Sequence, residues 1–131
     1  MKIVVDTSII IAVIANEPER KRIITLTENA DLLSPDSVFW EIGNAFSAMF
    51  KKGRTSLEKV KRALAIFNKI PIRFVRVELE ESLELAEKLN IYCYDAYLLR
   101  CTQKYHAPLL TLDKKLSDAA KILELKTIEV N

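Results

Sequence analysis

The 131-residue chain has only two glycines, Gly43 and Gly53, one histidine, His106, and two cysteines, Cys93 and Cys101. A loop that cradles phosphate needs several glycines close together, so P-loop and dinucleotide-binding readings fail. One histidine leaves no histidine metal cluster, and His106, at a predicted helix end before Pro108, reads as structural. The two cysteines are eight positions apart, match no metal or redox spacing, and read as ordinary buried thiols. No apolar stretch approaches the ~20 residues of a membrane helix. The apolar N-terminus is interrupted by Asp6 and has no small-residue cleavage site. A soluble, cytoplasmic protein with no membrane partner is expected.

Half of the residues are hydrophobic, enough for the core of one domain spanning residues 1–131. The 20 basic and 18 acidic residues give a formal charge of +2. Residues 51–62 alone hold six basic side chains (Lys51, Lys52, Arg54, Lys59, Lys61 and Arg62) against Glu58. They read either as a solvated helical hairpin tip or as a phosphate-contacting patch.

Apolar periodicity alternates between strands and helices. Ile3 to Val5 is a β-branched run, typical of a buried parallel strand. It ends at Asp6, and Thr7 or Ser8 is positioned to cap a helix beginning near Ile9. Leu32-Leu33 is a very short strand candidate. Ser34-Pro35 is expected to start a helix to about Lys52, with Ser34 as N-cap and Val38, Phe39, Ile42, Ala45, Phe46, Met49 and Phe50 on its inner face. Thr55 or Ser56 caps a further helix with Leu57, Val60, Leu64 and Phe67 inward. Residues 72–77 form a strand, and an acidic helix follows with Leu83, Ala86 and Leu89 inward. Asp95 opens a helix to Tyr105, residues 109–112 form a strand ended by Asp113, and a helix from Lys114 leads to a last strand from Thr127 to Val130. Alternating strands and helices imply a parallel sheet covered on both faces.

In open α/β sheets ligands bind where strands end and helices begin. Asp6 and Asp113 both occupy such a position. Glu41, on the border of its helix's apolar face, is either a solvated acid or one aimed into a half-buried cleft. Asp95 is either a helix-start acid or a member of the same group, and Asp118 reads as solvated. Gathered in one cleft, Asp6, Glu41, Asp95 and Asp113 would repel: two unit charges ~4 Å apart cost about 4 kcal/mol at an effective dielectric of 20. Such a cluster either retains protons or binds a cation. All-oxygen ligands suit Mg²⁺ or Mn²⁺, and an ion held there activates water against a phosphodiester. With four acids withdrawn into the cleft, the other 14 stand against 20 basic residues, leaving +6, a charge suited to a polyanion.

Val4-Val5-Asp6-Thr7-Ser8, Glu41 after Ser34-Pro35, Tyr94-Asp95-Ala96, and Leu110-Thr111-Leu112-Asp113 occur in an order and spacing that resembles PIN-domain ribonucleases, most closely the toxin half of VapBC-type toxin–antitoxin pairs. The resemblance spans nearly the whole chain. It implies a five-stranded parallel α/β/α sandwich and Mg²⁺- or Mn²⁺-dependent endoribonuclease activity. It also implies a small antitoxin partner and a homodimer. By position it makes Asp6, Glu41, Asp95 and Asp113 the metal ligands and catalytic acids, with Ser8 supporting a carboxylate or bound water. Asn44, without a firm equivalent, stands as a candidate RNA contact beside Lys51, Lys52 and Arg54. Where the family often has glycine in the final helix-to-strand turn, this chain has Leu125-Lys126.

Three other readings stay open on sequence alone. One is a catalytically inactive PIN fold used for binding, and another is a DNA-directed nuclease. The third is an aspartate-nucleophile phosphatase, which the Ser8 two residues after Asp6 disfavours, or a receiver, which would want an acceptor Asp where Glu78 follows Val75-Arg76-Val77. Phe46, Met49, Phe50 and Phe67 read either as core or as a groove for an antitoxin helix or a second copy.

Overall fold

The computed structural model describes residues 1–131. Five strands, β1 (Lys2–Val5), β2 (Asp31–Pro35), β3 (Ile72–Val75), β4 (Leu109–Leu110) and β5 (Thr127–Ile128), form one all-parallel sheet in the order β3-β2-β1-β4-β5. Seven helices connect them: α1 (Thr7–Ile14), α2 (Arg20–Thr27), α3 (Asp36–Lys51), α4 (Leu57–Phe67), α5 (Leu79–Leu89), α6 (Cys93–Tyr105) and α7 (Lys114–Ile122). The expected α/β/α sandwich is what forms. α1 packs on α2, α3 and α4, whereas α5 packs along α6. Right-handed crossovers place those two groups on opposite faces of the sheet.

The chain builds outward from β1 through β2 to β3, then returns to lay β4 on the other side of β1. The strand order therefore reverses between β1 and β4, and the crevice at such a reversal is where an α/β sheet accepts ligands. β1 is the central strand, and Ile3, Val4 and Val5 are buried on both faces. This is why its sequence is a continuous β-branched run rather than an alternating one.

Several local expectations are corrected. Ser34 does not cap α3. β2 runs on through Pro35, and the buried Ser34 hydroxyl donates a 2.6 Å hydrogen bond to the Val5 carbonyl, tying the C-terminal ends of β2 and β1 together. Proline is tolerated there because it closes the strand and stands as N-cap of α3. Replacing Ser34 by alanine leaves a buried carbonyl without this partner. The expected cost is about 1–3 kcal/mol, read as a lowered denaturation midpoint with the fold retained. Leu57, Leu64 and Leu83 are exposed rather than inward; Val60, Ala63 and Phe67 seat α4, and Ser82 and Leu85 seat α5. Phe46 and Phe67 are core, Met49 is half-buried, and Phe50 is exposed, so these four residues do not make one open groove.

Helix ends follow the residue chemistry. Ser56 caps α4 by accepting from the Lys59 amide. Gly53, Asn90 and His106 take left-handed backbone conformations after α3, α5 and α6, the usual C-terminal device. After α7 the left-handed residue is Glu124, at φ +60°. The position that would favour glycine is therefore one residue before Leu125-Lys126. No helix is long and apolar enough to cross a membrane.

Candidate active site

Asp6 leaves β1 at the crevice and is itself the N-cap of α1, the role expected of Thr7 or Ser8. Its Oδ1 accepts from the Ser8 hydroxyl at 2.6 Å and from the Ile9 amide at 3.2 Å, and its Oδ2 accepts from the Thr111 hydroxyl. The residue is only 5% exposed. Burial pushes its pKa up, the three hydrogen bonds oppose that rise, and the nearby Asp113 charge adds to it.

Thr111 was not a candidate from sequence. The parallel register pairs Val5 with Leu110, so the residues one step beyond, Asp6 and Thr111, meet across the crevice. The Thr111 hydroxyl also accepts from the Asp113 amide at 3.0 Å, and the Ser8 hydroxyl from the Leu112 amide at 3.0 Å. Two hydroxyls thereby stitch the loop after β4 to the loop after β1. Ser8 thus touches both the Asp6 carboxylate and the segment after β4. Asp113 caps α7 through Oδ1, which accepts from the Lys115 and Leu116 amides at 2.9 and 3.4 Å.

The remaining acids arrive from opposite layers. Glu41 lies in the second turn of α3 and Asp95 in the first turn of α6. Burial raises the Glu41 pKa to about 7; Ser37 and Thr7 hydroxyls lower it, while the Asp6 and Asp95 charges raise it. Burial also raises the pKa of Asp95, with Asp113 adding to the rise. Asp6 therefore feels Asp113, Asp113 acts on Asp95, and Glu41 feels both Asp95 and Asp6. The four acids are thus near enough to feel one another's charge across the crevice, and together they make a ring of acids there.

The ring is open rather than clenched: no three of its members are drawn together as a ready-made ion cage. The Glu41 Oε2, Thr7 Oγ and Ser37 Oγ atoms are buried without hydrogen-bond partners. The two hydroxyls are near enough to bias the carboxyl but do not satisfy it. Buried polar atoms left unpaired are rare and point to a missing water or ion. The donor set is all oxygen, and Mg²⁺ requires only one or two carboxylates with water completing its octahedron. The residues fit a hard divalent cation.

Asn44 lies one turn beyond Glu41 and lines the same cleft. Lys51, Lys52 and Arg54 are exposed and are not brought into the ring. Lys51 is ten residues along α3 from Glu41, about 15 Å at the helical rise, and Arg54 lines a separate cleft with Lys59 and Arg62. Asp118 is exposed and pairs with Lys114 at 3.2 Å.

The raised carboxyl pKa values set a direction for stability. Glu41 holds its proton more tightly folded than unfolded. Its contribution is fully present below about pH 4.5 and is lost as pH rises through about 7. Asp6 and Asp95 shift in the same sense. Glu78, hydrogen-bonded by Lys104 and Arg100, is lowered to about 2, so its contribution changes only between about pH 4.5 and 2. Without divalent ions, the Tm should fall as pH rises from about 4.5 through 7, and Glu41→Gln should flatten that fall. A Tm that rises over this range would show that the acids are not held against their ionisation.

The PIN-domain family model matches residues 3–122. No curated protein sequence matches the chain significantly. Among solved structures, PAE2754 from Pyrobaculum aerophilum superposes with a TM-score of 0.75 at 22% identity, covering 99% of this chain and 92% of that one. VapBC2 from Rickettsia felis, bound to a DNA fragment from its promoter, gives 0.70 at 18% identity over 98% of each chain. The sarcin-ricin loop cleaving toxin VapC20 of Mycobacterium tuberculosis gives 0.62 at 18% identity, covering 89% and 94%.

Proposed function

The chain belongs to the PIN-domain family, and from that premise we propose that residues 1–131 act as one metal-dependent endoribonuclease domain, the toxin of a type II toxin–antitoxin pair. The observation that carries the reading is the ring of Asp6, Glu41, Asp95 and Asp113 at the strand-order reversal, with Glu41 Oε2 buried and unpartnered. Fold likeness to a loop-cleaving toxin and to a VapBC assembly supports the toxin assignment. In this reading the partners are RNA, a small antitoxin and a second copy of the chain, and the protein works in the cytoplasm.

The four acids would hold Mg²⁺ or Mn²⁺. When bound, the ion activates water and offsets phosphate charge. The protein's own part is to prepare the carboxylates. Ser8, Thr111 and the Ile9 amide fix both oxygens of Asp6, so no rotamer search precedes binding. Near neutral pH Glu41 is poised between protonated and ionised forms, and its proton must leave before Oε2 can serve a cation. Asp113 keeps one oxygen on the α7 amides and has the other for the crevice.

Incubating the protein with total RNA and Mg²⁺ or Mn²⁺ tests the proposal. Wild type should cut RNA, chelator should stop it, and Asp6→Asn should leave the RNA intact. Cleavage of DNA alone would establish the DNA-directed reading. Binding of RNA without cleavage under any divalent ion would establish the inactive binding module.

A further inference from the structure

Trp40 is 74% exposed and Tyr94 58% exposed, far more than large aromatic groups ordinarily are. Each immediately precedes an acid of the ring, Trp40 before Glu41 on α3 and Tyr94 before Asp95 on α6. They come from opposite layers of the sandwich, yet both line one cleft of about 520 Å³, together with Thr7, Glu41, Asn44 and Ala45. Each ring is held by an aromatic neighbour on its own helix. Trp40 meets Phe39 at 4.9 Å and 83°, and Tyr94 meets Tyr97 at 6.2 Å and 80°. Such edge-on support fixes a ring's orientation, and the exposures leave much of each ring's surface free for a ligand.

We propose that this cleft seats an unpaired base of the RNA strand, stacked against Trp40 and Tyr94, beside the phosphate presented to the acid ring. The inference rests on the nuclease reading and assigns Trp40 and Tyr94 as the residues that position its substrate. A purely apolar occupant would bury the exposed Asn44 amide without satisfying it, whereas a base offers a π-face to the rings and a polar edge to Asn44. A nucleotide also carries the anion that a cation-loaded ring attracts, one bond system away from that base. Paired bases hide their faces within the duplex, so only an unstacked base can enter.

Trp40 is the chain's only tryptophan, so intrinsic emission reports on the cleft directly. Wild-type protein with Mg²⁺ is mixed with a short oligoadenylate, its abasic counterpart and a duplex of equal length, and emission is read before cleavage proceeds. Oligoadenylate should quench saturably, and the other two should not. Tyr94→Ala should weaken the apparent affinity, and Trp40→Ala and Tyr94→Ala should raise KM for single-stranded RNA. Both losses should be roughly 5- to 100-fold, appearing in KM rather than kcat, and Trp40→Phe and Tyr94→Phe should restore most of the affinity. Equal quenching by the abasic strand or the duplex, or cleavage with unchanged KM in Trp40→Ala, would overturn the base seat while leaving the hydrolytic reading intact. Quenching by oligoadenylate in a protein that cuts nothing would support the seat and remove the hydrolytic reading. Emission that shifts on dilution of the protein, with no response to oligoadenylate, would give the cleft to a second copy and overturn the proposal.

Discussion

Asp6→Asn should reduce RNA cleavage by roughly 10²- to 10⁴-fold while leaving the protein folded and, without divalent ions, at least as stable as wild type. The two halves of this result have separate causes. The carboxylate at the end of β1 is the most buried member of the ring and the one whose two oxygens are both fixed by hydroxyl or amide donors. Removing its charge would remove the most buried anion of the proposed cation site. The amide is nearly isosteric. Its oxygen can keep the Ser8 and Ile9 donors, and its NH₂ can donate to the Thr111 hydroxyl, which then turns its own hydrogen elsewhere. Against that small rearrangement stands relief of a buried charge that burial and Asp113 both disfavour. Activity on total RNA and a chelator-treated thermal melt, run on the same preparations, measure both halves. An unfolded Asp6→Asn protein would make the residue a structural cap of α1, and a fully active one would remove it from the chemistry.

Mn²⁺ should stabilise the wild-type protein by about 2.7 kcal/mol at a hundred times its dissociation constant. For a chain of 131 residues that is a Tm increase on the order of 10 °C. The effect should be absent in Asp6→Asn. It should also depend on pH in a particular sense. A cation must displace the proton that Glu41 holds up to about pH 7, so affinity rises as pH passes through neutrality. Over the same range the ion-free protein loses stability, because Glu41 ionises in a site that burial and its acidic neighbours make unfavourable for charge. The interval between the two melting curves should therefore widen from mildly acid to mildly alkaline pH. Parallel curves would mean that Mn²⁺ binds away from Glu41.

The strand-acid-helix pattern at Asp6 and Asp113 was readable because the β-branched and leucine runs before them could only be buried strands, and parallel strands must discharge their ends at one edge. Four acids of one chemistry, with no histidine or cysteine cluster to compete, made the cation reading natural before any geometry existed. Thr111 was invisible for a definite reason. Its role follows from the Val5–Leu110 register, and register between strands more than a hundred residues apart leaves no local trace. Ser34 was misplaced for a related cause: Ser-Pro-Asp is an excellent helix start by local chemistry, but pairing with β3 carries the strand two residues further. Leu57, Leu64 and Leu83 show the limit of periodicity, since a leucine at helical spacing looks inward on sequence alone, yet all three are exposed. Trp40 and Tyr94 drew no reading of their own from the sequence, and only their positions on either side of the crevice reveal them as its walls. The openness of the ring, finally, depends on how side chains from four separate segments are placed in space, which no spacing in the chain encodes.

Crystals soaked in Mn²⁺ and measured for anomalous scattering put the shared-ion claim to its most direct trial. An anomalous peak among Asp6, Glu41, Asp95 and Asp113, lost in Asp6→Asn crystals, is the predicted result. A peak elsewhere on the surface, or a ring that stays empty while Mn²⁺ occupies other sites, would contradict it.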